Sequence, residues 1–115
     1  MKYLYPVIFT PGEKGMYFAE VPDLPYINTY GKNIFDAFLM AEDAIEMWLA
    51  EAEDKKEAIP PASPTLDHTP PSFVSFVLAD TVVWRKKFKE IQRKRTQRAL
   101  KARQARAAKA ETRAN

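Results

Sequence analysis

The sequence predicts an α+β fold. An antiparallel β-meander of three strands is followed by one amphipathic helix, a fourth returning strand and a basic helical tail. Three observations predict it. Short runs rich in Tyr, Val, Ile and Phe alternate with turn residues over positions 2–30. Apolar residues then recur at spacings of three and four over positions 34–52. Beyond a Pro-rich connector comes FVSFVL, and after it a Lys/Arg/Ala-rich segment with almost nothing to bury.

Residues 2–10 read as the first strand, and Pro11-Gly12-Glu13-Lys14-Gly15 as its turn, with two glycines available for positive φ. Residues 16–21 return as the second strand of a hairpin. Pro22-Asp23-Leu24-Pro25 breaks the pairing, because neither proline has an N–H to donate. Residues 26–30 fit a short third strand, with Gly31 as a hinge into the helix. Asn33 is the expected N-cap, and Asp36 completes a capping box. Ile34, Phe38, Ala41, Ile45, Trp48 and Ala52 form the stripe, widened by Ala37, Ala44 and Leu49. Asp36, Glu42, Asp43, Glu46, Glu53 and Asp54 are expected on the wet side.

Five prolines between 59 and 72 make an extended, semi-rigid connector inside the domain. FVSFVL at 73–78 is the fourth strand, and Asp80 or Thr81 caps a second helix. Trp84, Phe88 and Ile91 continue a short apolar stripe. Past it the chain is Arg, Lys, Ala and Gln, strong helix formers that should fray in a free monomer. The expected division is an α/β domain over 1–88 and a tail over 89–115, helical or disordered.

At 115 residues and 46% hydrophobic content, the chain has room for one small domain and a tail. The absence of cysteine excludes disulfides, thiolate metal sites and cysteine nucleophiles, and suits a reducing cytoplasm. No apolar run approaches the roughly 20 residues that span a bilayer, and the N-terminus reads as a strand rather than a signal peptide. The net charge of +3 hides a split. Residues 1–84 hold 5 Lys/Arg against 13 Asp/Glu, a net −8. Residues 85–115 hold 13 Lys/Arg against 2 Asp/Glu, a net +11. The two halves call for two kinds of partner, or for a tail that folds back on the body.

The sequence shows no catalytic constellation. His68 stands alone in the connector. Glu42, Asp43 and Glu46 lack the converging loop ligands of a hard-cation site and read as a solvated helix face. Phosphate loops, nucleophile elbows and H-E-x-x-H pairs are missing, so neither enzyme activity nor a cofactor is expected. Arg93, Lys94, Arg95, Arg98, Lys101, Arg103 and Arg106, with Lys109, would load a helix with positive charge and neutralise phosphates. The plain alternative is a solubilising terminus. Tyr3, Tyr5, Tyr17, Tyr26 and Tyr30 are many tyrosines for one small sheet, either ordinary strand filling or a protein-binding face.

Tyr5-Pro6, Pro22-Asp23-Leu24-Pro25, Thr29-Tyr30-Gly31 and Ile59-Pro60-Pro61, in that order and spacing, resemble the N-terminal domain of HicB-type antitoxins. FVSFVLADTVVWRKKF resembles the strand that closes the same domain, so the likeness covers roughly 1–88. It implies a partial ribonuclease-H-like fold without nuclease chemistry. It also implies neutralisation of a small HicA-type mRNA-cleaving toxin, and a C-terminal domain that dimerises and represses the operon. An RNA-binding toxin should be basic, and an acidic body suits it. The expected toxin-binding residues are Tyr17, Glu20, Asp23, Tyr26 and Tyr30. Two departures stand out. The family's Gly-Cys after Pro-Asp-Leu-Pro is Tyr26-Ile27 here, and residues 89–115 match neither usual DNA-binding module. Two readings therefore result. One is an antitoxin, a homodimer or higher oligomer without membrane contact, with operator DNA as a second partner. The other is a nucleic-acid-binding protein acting mainly through its tail.

Overall fold

The computed structural model describes residues 1–25 and 27–114, with side chains described as far as Lys109. The elements run β1 (Lys2–Pro11), β2 (Tyr17–Glu20), β3 (Asn28–Gly31), α1 (Ile34–Lys55), β4 (Phe73–Asp80) and α2 (Thr81–Ala114). The strands form one four-stranded antiparallel sheet in the order β3-β2-β1-β4. The meander and the returning strand are thus as expected, with β4 on the far side of β1. Chain packing divides the molecule into Met1–Trp84 and Arg85–Asn115.

The hairpin between β1 and β2 closes through a single turn of 3-10 helix at Glu13–Gly15. Of the two glycines only Gly15 takes positive φ, at 79°; the other left-handed position is Lys14 at 55°. The third strand starts at Asn28 rather than 26. Tyr26, expected to open it, lies outside the described residues.

One face of the sheet is covered by α1. Tyr5, Val7 and Phe9 of β1, Ala19 of β2, and Val77 and Ala79 of β4 pack on Ala37, Ala41, Ile45 and Leu49. Phe9 is the centre of an aromatic stack, with ring centroids 4.3 Å from Phe38 and 5.5 Å from Phe73. Gly31 is needed here for close approach. A Cβ on it would stand 2.2 Å from the backbone nitrogen of Ala37, so the expected hinge is instead a packing contact between β3 and the first turn of α1.

Both ends of α1 are closed by its own sequence. Asn33 Oδ1 accepts the Asp36 N–H at 2.8 Å, and Asp36 Oδ2 accepts the Lys32 N–H at 2.9 Å. At the other end Lys56 adopts the left-handed conformation at φ 55°. There Glu57 N donates to Ala52 O at 2.9 Å and Lys56 N to Glu53 O at 3.2 Å, a Schellman ending on a residue with a Cβ.

The wet face of α1 needs one correction. Glu46 is buried, with its Oε2 accepting the Asp80 N–H at 3.0 Å where β4 ends. Glu53 is half-buried and accepts from Tyr3 Oη at 2.9 Å and Thr81 Oγ1 at 3.2 Å. The stripe drifts around the helix axis over six turns, so its last turns bring these carboxylates against the β4–α2 junction. The Met1 ammonium donates to Thr81 Oγ1 at 3.1 Å in the same place.

The connector has no regular secondary structure between 57 and 69, yet side chains fasten it down. Ser63 donates to the Asp23 carboxylate twice, from N at 2.9 Å and from Oγ at 2.6 Å. Tyr5 Oη donates to the Pro60 carbonyl, and the Thr10 and Ser72 hydroxyls meet at 2.8 Å. In α2, Asp80 Oδ1 accepts the Val82 N–H at 3.0 Å, the capping expected of it. The helix then runs unbroken to Ala114 on strong helix formers.

Candidate functional site

The second face of the sheet is open in part: Pro6 on it is buried, and Ile8, Thr10 and Val74 are half-buried. Alternation puts Leu4, Pro6, Ile8 and Thr10 of β1 there, with Phe18 and Glu20 of β2. Register adds Asn28 and Tyr30 of β3, and Val74, Phe76 and Leu78 of β4. The rows are cross-strand pairs: Phe18 faces Tyr30, Pro6 faces Phe76, and Leu4 faces Leu78. Phe18 is 48% exposed, Tyr30 63%, Phe76 45% and Leu78 55%. The exposed apolar side chains fall into two patches, Phe18 with Tyr30 on β2 and β3, and Leu4 with Phe76 and Leu78 on β1 and β4, and exposed apolar patches are the kind of surface that makes contacts. Glu20 gives the β2 end a negative charge, with Ile8 and Asn28 beside it.

The five residues expected to bind the toxin do not share this face. Glu20 and Tyr30 lie on it, exposed. Tyr17 lies on the helix side, half-buried, edge-on to Phe73 with centroids 6.2 Å apart. Asp23 is half-buried and holds Ser63. Tyr26 is outside the described residues. The tyrosines as a group are therefore not the open face: Tyr3 and Tyr5 also point to the helix. Burial, then the hydrogen bond and charge of Glu53, push the Tyr3 phenol up to about 12. Burial, then the Asp23 charge, raise that of Tyr5.

Phe18, Phe76 and Leu78 escaped the sequence reading. Their signal is that β1 and β4 are apolar at odd and even positions alike, which one covering helix cannot absorb.

The basic unit is a separate surface. Arg93, Lys94, Arg95, Arg98, Lys101, Arg103 and Arg106 are all exposed on α2. Lys94, Arg98 and Lys101, spaced four and three apart, share one side of the helix. Arg95 and Arg106 lie on the next side, while Arg93 and Arg103 stand apart from both groups. Arg93 is paired with Glu90 at 3.0 Å.

Among the described residues no cluster of three or more His, Asp or Glu is placed to hold a metal ion. None of their helices is long and apolar enough to cross a membrane. The fold defines a two-layer α+β domain, one sheet face covered by α1 and the other partly open. The chain belongs to the HicB-like family: residues 4–70 match the HicB_like antitoxin of bacterial toxin-antitoxin systems.

Solved structures share the fold. A toxin–antitoxin complex from Streptococcus pneumoniae aligns with a TM-score of 0.63 at 21% identity, covering 73% of each chain. The antitoxin HicB of Burkholderia pseudomallei aligns at 0.55 and 20% identity, over 65% of this chain and 61% of that one. A HicA3–HicB3 toxin–antitoxin complex aligns at 0.52 and 20% identity, over 68% and 99%. Among curated proteins none matches.

Proposed function

We propose that this protein binds and neutralises a small, basic, HicA-type mRNA-cleaving toxin in the cytoplasm. Membership of the antitoxin family carries the reading, and the similar chains in toxin–antitoxin complexes support it. The body is a partial ribonuclease-H-like fold used for binding rather than for chemistry.

The toxin docks on the β2–β3 end of the open face. Phe18 and Tyr30 supply apolar area, and Glu20 supplies a carboxylate for a toxin cation that otherwise meets an RNA phosphate. Tyr17 and Asp23 support this end from behind, Tyr17 through Phe73 and Asp23 through Ser63. The net −8 of residues 1–84 speeds encounter with a positively charged partner.

Co-expression with the small open reading frame beside this gene tests the proposal. A stable complex and rescued growth are expected. No complex and no rescue would refute it.

A second reading rests on the net +11 of residues 85–115 and their exposed helix. The helix contacts nucleic acid, including operator DNA, and the protein thereby represses its own operon. Such contact weakens steeply with salt. Truncation after Lys89 should abolish DNA retention at low salt and leave toxin neutralisation intact; unchanged retention would remove the tail from this role.

A further inference from the structure

One side of α1 goes unused by the fold. At about 100° of turn per residue, Phe35, Asp36, Leu39, Met40, Asp43 and Met47 fall within one arc of the helix. It lies opposite the stripe of Ala37, Ala41, Ile45 and Leu49 that packs on the sheet. The sequence pattern gives this side to solvent, yet it carries four large apolar residues. Phe35 is 71% exposed, and Leu39, Met40 and Met47 are about half exposed. None of the four packs on the core. A single exposed apolar residue is ordinary. Here Phe35, Leu39 and Met40 stand together in the first two turns, with Asp43 between them and Met47.

The charge on this side has one sign. From Asn33 to Asp54 the chain holds seven Asp and Glu and no Lys or Arg. Asp36 and Asp43 lie on the arc itself, each with apolar neighbours three or four residues away. An occupant must therefore bring apolar area and positive charge together. Nucleic acids and anionic lipid surfaces have the wrong sign. The body of a second copy, at net −8, would set like charges against each other.

We infer that the outward arc of α1 is a second contact surface for the basic toxin, which reaches it around the β3 edge. The inference rests on the toxin reading and extends it to a surface outside the sheet. β3 is the outermost strand and only four residues long. Phe35 follows its last residue, Gly31, by four positions, and Tyr30 lies on the open face of the same strand. One partner gripping this edge meets Tyr30 on one side and Phe35 on the other. Met40 and Met47 have unbranched, adaptable side chains that mould to an incoming apolar group. Asp43, between them, takes a Lys or Arg beside that group.

Titration calorimetry of the full chain against the purified product of the adjacent small gene tests it. The double variant Phe35→Ser, Leu39→Ser should bind at least about tenfold more weakly, with far-UV circular dichroism unchanged. Should that variant unfold, Asp43→Lys repeats the test on an exposed charged position, with a loss of at least about tenfold and a flatter salt dependence. A folded variant that binds as the wild type does would overturn the arc and leave the toxin reading standing. A wild type that does not bind would overturn both. Sedimentation velocity of the antitoxin alone should be the same for wild type and double variant. A change of oligomeric state there would assign the arc to a second copy and overturn the toxin contact.

Discussion

The two faces of this sheet are built from the same strands and differ in what covers them. On one, Val7, Phe9 and Ala19 are fully enclosed by α1. On the other, Leu4, Phe18, Phe76 and Leu78 are about half exposed. The covered face holds the domain together, since area removed from water stabilises at about 25 cal/mol per Å². The exposed residues of the second face gain less of that in the lone chain. Those residues would gain more only with a partner over them, as the proposed toxin docking would supply.

The sharpest way to break this contrast is to truncate one phenylalanine on each side. Phe9→Ala should cost about 3–5 kcal/mol in urea unfolding, because it empties the stack with Phe38 and Phe73. Phe18→Ala should cost about 1 kcal/mol or less. Similar losses would mean that the open face is already packed. Next in size is Gly31→Ala, on the covered side. Its Cβ would press on the Ala37 backbone, and a loss of about 3 kcal/mol is expected by the same measurement.

Tyr3 sharpens the contrast through pH. Its phenol has an ordinary value of 10.0 and is raised to about 12 in the folded chain by burial and by Glu53. The unfolded chain therefore ionises first. The stabilisation is complete below pH 10 and is lost as pH rises from 10 towards 12. Tyr3→Phe should flatten the fall in melting temperature over that interval. The smallest effect expected is a gain. Lys56 ends the covering helix in a left-handed conformation that costs a residue with a Cβ about 1 kcal/mol. Lys56→Gly should recover a comparable amount in thermal unfolding.

Local physics made much of this legible in the sequence. The stripe from Ile34 to Ala52 and the Asn33 cap need only the helical period, and both are in the fold. FVSFVL is recognisable as a strand, but its place beside β1 depends on a contact across some seventy residues that no local pattern specifies. Glu46 misled for the same reason: helical periodicity assigns it to the wet side, and the end of β4 buries it. Asp23 looks like exposed chemistry because it is a charged residue in a Pro-Asp-Leu-Pro corner, and Tyr17 because a tyrosine in a short strand can serve either face. Here Ser63 and Phe73 engage them. The open face was hidden by its own chemistry, since Phe18 and Leu78 are residue types that normally fill a core.

Affinity for the toxin on the open face, measured by titration calorimetry with the purified product of the adjacent small gene, decides between contact and folding as its purpose. The double variant Phe18→Ser, Tyr30→Ser should unfold at nearly the wild-type urea concentration and lose at least about 2 kcal/mol of binding, a change of roughly thirtyfold in Kd. Unchanged binding by the folded double variant would contradict the assignment of this face to the toxin.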